Sequence, residues 1–401
     1  MKKTSIALLA ATSVAALFAA SSAFAAQNVA NTSQKGSLLI WPKISVDPGV
    51  DTIVEISNDS NFGIHLYCEY VNEAKGRAPF DLFVSGKGTV SWDVRTQTGD
   101  HAQPPPFPTN IGGGPALPAG IFADANRGEL VCFATEASAR FQVAWNELTG
   151  TGTYLDLANG SPGVVQPRQG FKYNAWAFAA RCAPVSTTDS TSTCPASGLA
   201  PDSATVEQGT PGDLVLSGGG DGNYDACPVY NIVNFMPYGA TLGNISAGSQ
   251  WLSVSGCDQD LREKYNLHLT KLFFSVFNAA ESSFNAYACV DSVNTIPLDA
   301  ENQPPTPIVN QASSFDFSTL TTPNARFQVQ GISSAPPCPA ASTGVFENNV
   351  GLVGVYNTWV GIDGDIPGID QDIGNTTQGA GAHAPGFVMW DVAGGTPPAA
   401  K

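Results

Sequence analysis

The sequence predicts an all-β protein: two tandem, disulfide-stabilised antiparallel β-sandwich domains joined by a Ser/Thr/Pro-rich linker. Three observations predict it. Apolar residues recur with a period of two in short runs, Gly- and Pro-containing turn signals separate the runs, and long amphipathic helix patterns are absent. The best helical candidate is short, around Asp258–Tyr265.

The first element is a leader. Lys2 and Lys3 form a positive start, Ile6–Ala20 is Ala/Leu-rich and apolar, and Ala23-Phe24-Ala25 is a small-residue cleavage signal. Residues 1–25 are therefore expected to be a signal peptide, with the mature chain starting at Ala26. The apolar run is about 15 residues, short of the roughly 20 that a spanning helix needs. No later segment is long and apolar enough to cross a bilayer as a helix. The expectation is an exported protein, periplasmic or extracellular, without a membrane span.

The roughly 376 residues that remain suffice for two or three domains. The expected division is a first sandwich over residues 26–183, a linker over 184–212, and a second sandwich over 213–401 with a flexible C-terminal tail. The linker assignment rests on its Ser, Thr, Pro and Ala content. A second irregular stretch, Gln103–Gly120, holds Pro104, Pro105, Pro106 and Pro108, then Gly112–Gly114, and reads as a long loop inside the first domain. The chain has 18 Lys and Arg against 34 Asp and Glu. Removing Lys2 and Lys3 takes the net charge from −16 to about −18, a balance that repels nucleic acid and anionic lipid.

In Ile64–Val71, the residues Ile64, Leu66, Cys68 and Tyr70 share one face. Phe141, Val143 and Trp145 do so in Arg140–Asn146, and Leu272, Phe274 and Val276 repeat the pattern. Asp47-Pro48-Gly49, Asn58-Asp59, Thr149-Gly150 and Asn159-Gly160 read as turns. An echo suggests two related halves: Ala139–Val143 recurs as Ala325–Val329, and Tyr173-Asn174-Ala175-Trp176 is echoed by Tyr356-Asn357-Thr358-Trp359.

Eight cysteines in an exported chain imply disulfides, and none are spaced C-x-x-C. The expected pairs are Cys68–Cys132, Cys182–Cys194, Cys227–Cys257 and Cys289–Cys338. The first pair holds the only cysteines in the main body of the first domain, Cys182 and Cys194 flank the linker start, and the others are paired by proximity.

Several segments together carry a resemblance: Lys35–Lys43 (KGSLLIWPK), Trp145–Leu148 (WNEL), Tyr173–Trp176 (YNAW), Tyr224–Pro228 (YDACP) and Ala325–Gly331 (ARFQVQG). They resemble a group of exported, β-rich bacterial proteins of unassigned function. The resemblance implies architecture and export and carries over no catalytic residue.

Chemistry-bearing motifs are sparse. The four histidines, His65, His101, His268 and His383, show no zinc-ligand spacing. No nucleophile elbow or phosphate loop occurs, and Gly218–Gly220 reads as a turn. The seven tryptophans, Trp41, Trp92, Trp145, Trp176, Trp251, Trp359 and Trp390, are candidates to stack on sugars, although most fall in strand patterns and read as core. The one constellation with a mechanism is Asp363–Asp372, where Asp363, Asp365, Asp370 and Asp372 offer oxygen ligands for calcium among Gly and Pro. Asp221, Asn223 and Asp225 only partly mimic a calcium loop.

The expected function is that of a secreted, non-catalytic structural, adhesive or surface-binding β-protein. It requires no cofactor, with calcium as the candidate ion, and it has no hydrolytic activity of its own. A secreted carbohydrate-active enzyme or glycan-binding module is the alternative. A polymerising extracellular filament subunit is the second. The corresponding partners are a glycan or other cell-surface component, or further copies of the chain.

Overall fold

The computed structural model describes residues 30–180 and 224–389, apart from gaps of one or two residues and the segments 113–122, 136–142, 160–164, 257–267, 299–319, 333–344, 347–350, 363–371 and 379–386. The expected signal peptide, the expected linker, the helical candidate, His101, His383, Gly218–Gly220, Asp221, Asn223 and Trp390 lie outside the described residues. The described chain is nearly all β, with no α-helix among the described residues.

Ten strands come before residue 180. They are β1 (Leu38–Ser45), β2 (Val50–Asn58), β3 (Ile64–Asn72), β4 (Arg77–Val84), β5 (Thr89–Asp93), β6 (Gly99–Asp100), β7 (Arg127–Thr135), β8 (Leu148–Asn159), β9 (Val165–Asn174) and β10 (Trp176–Phe178). After residue 224 follow β11 (Tyr230–Phe235), β12 (Thr241–Leu242), β13 (Ile245–Gly256), β14 (His268–Asn278), β15 (Ser283–Asp291) and β16 (Val293–Pro297). The last are β17 (Ala325–Ile332), β18 (Val345–Phe346), β19 (Leu352–Ile362), β20 (Asp372–Gln378) and β21 (Phe387–Met389).

These strands form four sheets. Sheet I has the order β6-β5-β2-β8-β9 and sheet II the order β10-β1-β7-β3-β4. Sheet III runs β12-β13-β19-β20 with β16 also on β13, and sheet IV runs β15-β14-β17-β11-β21 with β18 on β14. Every ladder is antiparallel except the short β14–β18 pairing.

The two halves carry the same strand order. Sheet II, read β10-β1-β7-β3-β4, matches sheet IV, read β21-β11-β17-β14-β15, and the β5-β2-β8-β9 part of sheet I matches β16-β13-β19-β20 of sheet III. The residue echo does not follow this correspondence. Ala325–Val329 lies in β17, whose counterpart is β7, while Ala139–Gln142 follows β7 and lies outside the described residues. Tyr356–Trp359 lies in β19, whose counterpart is β8, but Tyr173–Trp176 spans β9 and β10. The Tyr-Asn-x-Trp echo therefore falls at unequal places in the two halves.

Among the described residues, strand pairing stays within each half apart from one isolated bridge, Ala180↔Tyr224. The apolar core does not. One cluster fills the space between sheets I and II, including Leu39, Trp41, Val54, Ile56, Leu66, Tyr70, Trp92 and Cys132. A second cluster joins Leu38, Ile40, Val131, Phe133 and Trp176 of sheet II to Leu252, Val254 and Val353 of sheet III and to Leu272, Phe274 and Phe327 of sheet IV. The sheets thus stack in the order I–II–III–IV.

The sequence of β1, Leu-Leu-Ile-Trp-Pro-Lys-Ile-Ser, follows from this stack. All eight residues are buried, because Leu39 and Trp41 face sheet I while Leu38 and Ile40 face sheet III. A strand covered on both faces reads as a continuous apolar run rather than an alternation. Pro42, which has no N–H to give, sits where the pairing with β7 shifts register between Trp41 and Ile44.

Two turn and strand assignments are corrected. Thr149-Gly150 lies inside β8. Gly150 is there because a Cβ would come within 2.2 Å of the Trp41 ring, so the glycine marks a close approach instead of a turn. Trp145 is buried as expected, but Trp145–Glu147 is not strand. Ser37 Oγ accepts the Trp145 and Asn146 backbone N–H groups at 2.6 and 2.9 Å, replacing ladder partners.

The patterns at Ile64–Val71 and Leu272–Val276 hold. Ile64, Leu66, Cys68 and Tyr70 face one core cluster, and Leu272, Phe274 and Val276 the other. Cys68 and Cys132 are disulfide-bonded across β3 and β7, where they are direct partners. Cys227 and Cys289 each take part in a disulfide. Their expected partners, Cys257 and Cys338, lie outside the described residues, as do Cys182 and Cys194.

Candidate functional site

Several buried charged groups gather where the ends of β1, β3 and β7 meet, at one rim of sheet II. β1 supplies Lys43, the following turn supplies Asp47, and the residue after β3 is Glu73. Arg127 opens β7 after Asp124. The antiparallel register brings these ends together: Ile44 and Asn72 both pair with Gly128.

Arg127 is held on three sides. Its Nε is 2.5 Å from Asp47 Oδ2 and 3.9 Å from Asp124 Oδ2, and its guanidinium lies 5.0 Å from the centre of the Trp251 ring on β13. Burial works against the Arg127 charge, yet the Asp47, Glu73 and Asp124 carboxylates keep its pKa above the usual value.

Glu73 is 1% exposed. Its Oε1 accepts the Thr295 N–H of β16 at 2.6 Å, and its Oε2 accepts the Asp124 N–H at 2.9 Å. Burial raises its pKa to about 7, opposed by the Asp124 N–H, the Arg127 charge and Thr295. Lys43 places its ammonium 4.7 Å from the centre of the Tyr154 ring. Burial, and then the neighbouring Arg127 charge, lower its pKa to about 7. Tyr173 donates its hydroxyl to the Lys43 carbonyl, which fixes the strand there.

A carboxyl pair lies nearby. Asp51 at the start of β2 is 2% exposed and shares a side-chain hydrogen bond with Asp93 at the end of β5. Burial, then the Asp93 hydrogen bond and charge, raise its pKa to about 7. Asp51 Oδ1 also accepts the Thr52 N–H at 2.7 Å and the Arg95 N–H at 3.2 Å. The two carboxyls are in direct contact, closer than the roughly 5–10 Å separation that a glycosidase acid and base require. On the face of sheet II toward sheet III, Glu69 and Arg77 form a buried ion pair at 3.4 Å.

The chemistry of this constellation is proton holding and joining. Both Glu73 oxygens are engaged by backbone N–H groups, and Arg127 is bound to its carboxylates and ring. In sequence, none of the charged groups carries a functional role: Asp47 reads as part of a turn, Lys43 as part of a motif, and Trp251 alone as a candidate, to stack on sugars. One signal was available: Lys43 is a lone charge inside an apolar strand, which a buried strand tolerates only with a dedicated environment.

The residues expected to act distribute as follows. Trp41, Trp92, Trp145 and Trp176 are buried core, and Trp251 is half-buried under Arg127. Trp359 falls in β19. His65 lies on the sheet surface with its ring centre 4.9 Å from that of Phe83, and His268 opens β14. Of the calcium candidates, Asp363, Asp365 and Asp370 lie outside the described residues, and Asp372 opens β20. Asp225 accepts hydrogen bonds from Gln34 Nε2 at 2.9 Å and the Ala179 N–H at 3.1 Å.

No protein-family model and no curated protein matches the chain. Among solved structures, a lectin from Pleurotus ostreatus in complex with GalNAc aligns at 11% identity over 83% of this chain and 80% of that one, with a TM-score of 0.09. An overlap that poor carries no argument about fold or ligand.

Proposed function

We propose that this is an exported, non-catalytic structural, adhesive or surface-binding β-protein, built as two tandem β-sandwich domains joined by the 184–212 linker and matured by cleavage before Ala26. The observation that carries the reading is the use of the perturbed charges. Glu73 and Arg127 are spent on contacts between sheets II and III, and Asp51 on its bond to Asp93, instead of lining an open cleft. The burial of four tryptophans in the core supports it further, since those rings have no face to offer a sugar.

A panel of polysaccharides, esters and peptides, run with the purified mature protein with and without calcium, tests this reading. The expected result is no turnover of any substrate. Reproducible turnover, abolished by changing a single Asp or Glu, would replace it with the carbohydrate-active alternative. Mass photometry of the same sample then separates a monomeric binder from a self-assembling subunit.

A further inference from the structure

The end of sheet II after β10 and the start of the second half, ahead of β11 of sheet IV, meet at one end of β1. Ala180 bridges Tyr224 there, Asn146 holds Ala180 through its N–H at 2.6 Å and its carbonyl at 3.0 Å, and Gln34 reaches Asp225. The Glu73 and Arg127 contacts to sheet III lie at the other end of β1, beyond Ser45. An eight-residue strand separates the two places by about 25 Å. One end of the interface thus carries the Ala180–Tyr224 bridge, and the other carries the Glu73–Thr295 and Arg127–Trp251 contacts.

We propose that Glu73, Arg127, Thr295 and Trp251 form a pH-responsive latch between sheets II and III, opposite the Ala180–Tyr224 bridge. When the latch is closed, the Glu73 carboxyl sits in a buried site facing Arg127 of β7, Asp124 of the preceding turn, Lys43 and Asp47 from β1 and its turn, and Thr295 of β16. When it is open, the carboxyl is solvated and has an ordinary pKa near 4.5. The closed site therefore binds the proton more tightly than the open one. Opening becomes easier as pH rises from about 4.5 to about 7, and it gains nothing further from Glu73 above that. The consequence is local. The Thr295 amide loses its acceptor and the Trp251 ring loses its guanidinium cover, while the apolar contact around Ile40, Val131 and Trp176 stays closed.

Hydrogen exchange of the intact mature protein, followed by mass spectrometry from pH 5 to pH 7.5 and normalised to unfolded-chain rates, reads the latch directly. Protection of the Thr295 amide, read within the 293–297 segment, should fall on the order of 100-fold across that range. Protection of 325–332 in sheet IV should stay flat. Glu73→Gln should remove the pH slope at 293–297 whatever it does to the absolute level, because the amide does not titrate. A flat wild-type profile at 293–297 overturns the proposal. So does an equal slope in 325–332, or a slope that persists in Glu73→Gln. The wild-type comparison of the two segments decides the matter even where Glu73→Gln folds poorly.

Discussion

Trp176→Ala tests whether the four sheets share one core. Trp176 is fully buried in sheet II, and its Nε1–H donates to the Gly354 carbonyl of sheet III at 3.1 Å. Truncating a buried Trp costs about 3–5 kcal/mol from lost transfer energy and the cavity left behind. Stranding the Gly354 carbonyl adds about 1–3 kcal/mol if no water reaches it. Because the two terms overlap, about 4–6 kcal/mol is expected, a large fraction of the roughly 5–15 kcal/mol that holds a typical protein folded. The melting temperature should fall by about 10 °C. Trp176→Phe keeps most of the ring and loses the donor, so it should cost about 1–2 kcal/mol. Calorimetry and urea unfolding measure the loss, and hydrogen exchange across 352–362 shows whether β19 feels it. Two calorimetric transitions of which only one moves would refute the shared core. Unchanged exchange in β19 would do the same.

Three further outcomes follow from the other sites. Replacing Cys68 and Cys132 together by Ala opens a crosslink of sequence separation 64 and should cost about 4 kcal/mol in the chain-entropy model, read by denaturant unfolding; a loss under about 1 kcal/mol contradicts it. Asp51 has a folded pKa raised to about 7, so its contribution is fully present below about pH 4 and is lost as pH rises to 7; Asp51→Asn should flatten that limb and stabilise the protein at pH 8 by about 1–3 kcal/mol, as thermal melts across pH will show. Calcium at Asp363, Asp365, Asp370 and Asp372, proposed from sequence, should raise the melting temperature between micromolar and millimolar calcium over a chelator baseline, and an unmoved curve removes the idea.

Lys43 adds an opposite limb. Its folded pKa is lowered to about 7 against an ordinary 10.5, so between those values the unfolded chain holds a proton that the folded one does not. Stability therefore rises with pH over that window. Lys43→Met should abolish the rise in melts between pH 7.5 and 10. A rise that survives the substitution would assign it to another group.

The period-two runs at Ile64–Tyr70 and Leu272–Val276 were legible because one face of each strand meets a core, and local alternation records that directly. The Cys68–Cys132 pair was legible because the main body of the first domain offered no other partner. Thr149-Gly150 was misread because a glycine required by the Trp41 ring looks, in sequence, the same as a glycine required by a turn. The residue echo pointed to two related halves through strands that the topology does not make equivalent, since strand chemistry repeats more freely than strand position.

Strand content is a short-range property, and the sequence by itself determined it. Which strands pair, and that sheet II is covered on both faces, depend on contacts between residues more than 100 positions apart, such as Trp176 with Gly354. Tertiary structure alone decided these. It also decided the state of Lys43, Asp51 and Glu73. Their proton affinities come from burial and from charges brought near by register, and neither is written at the residue itself.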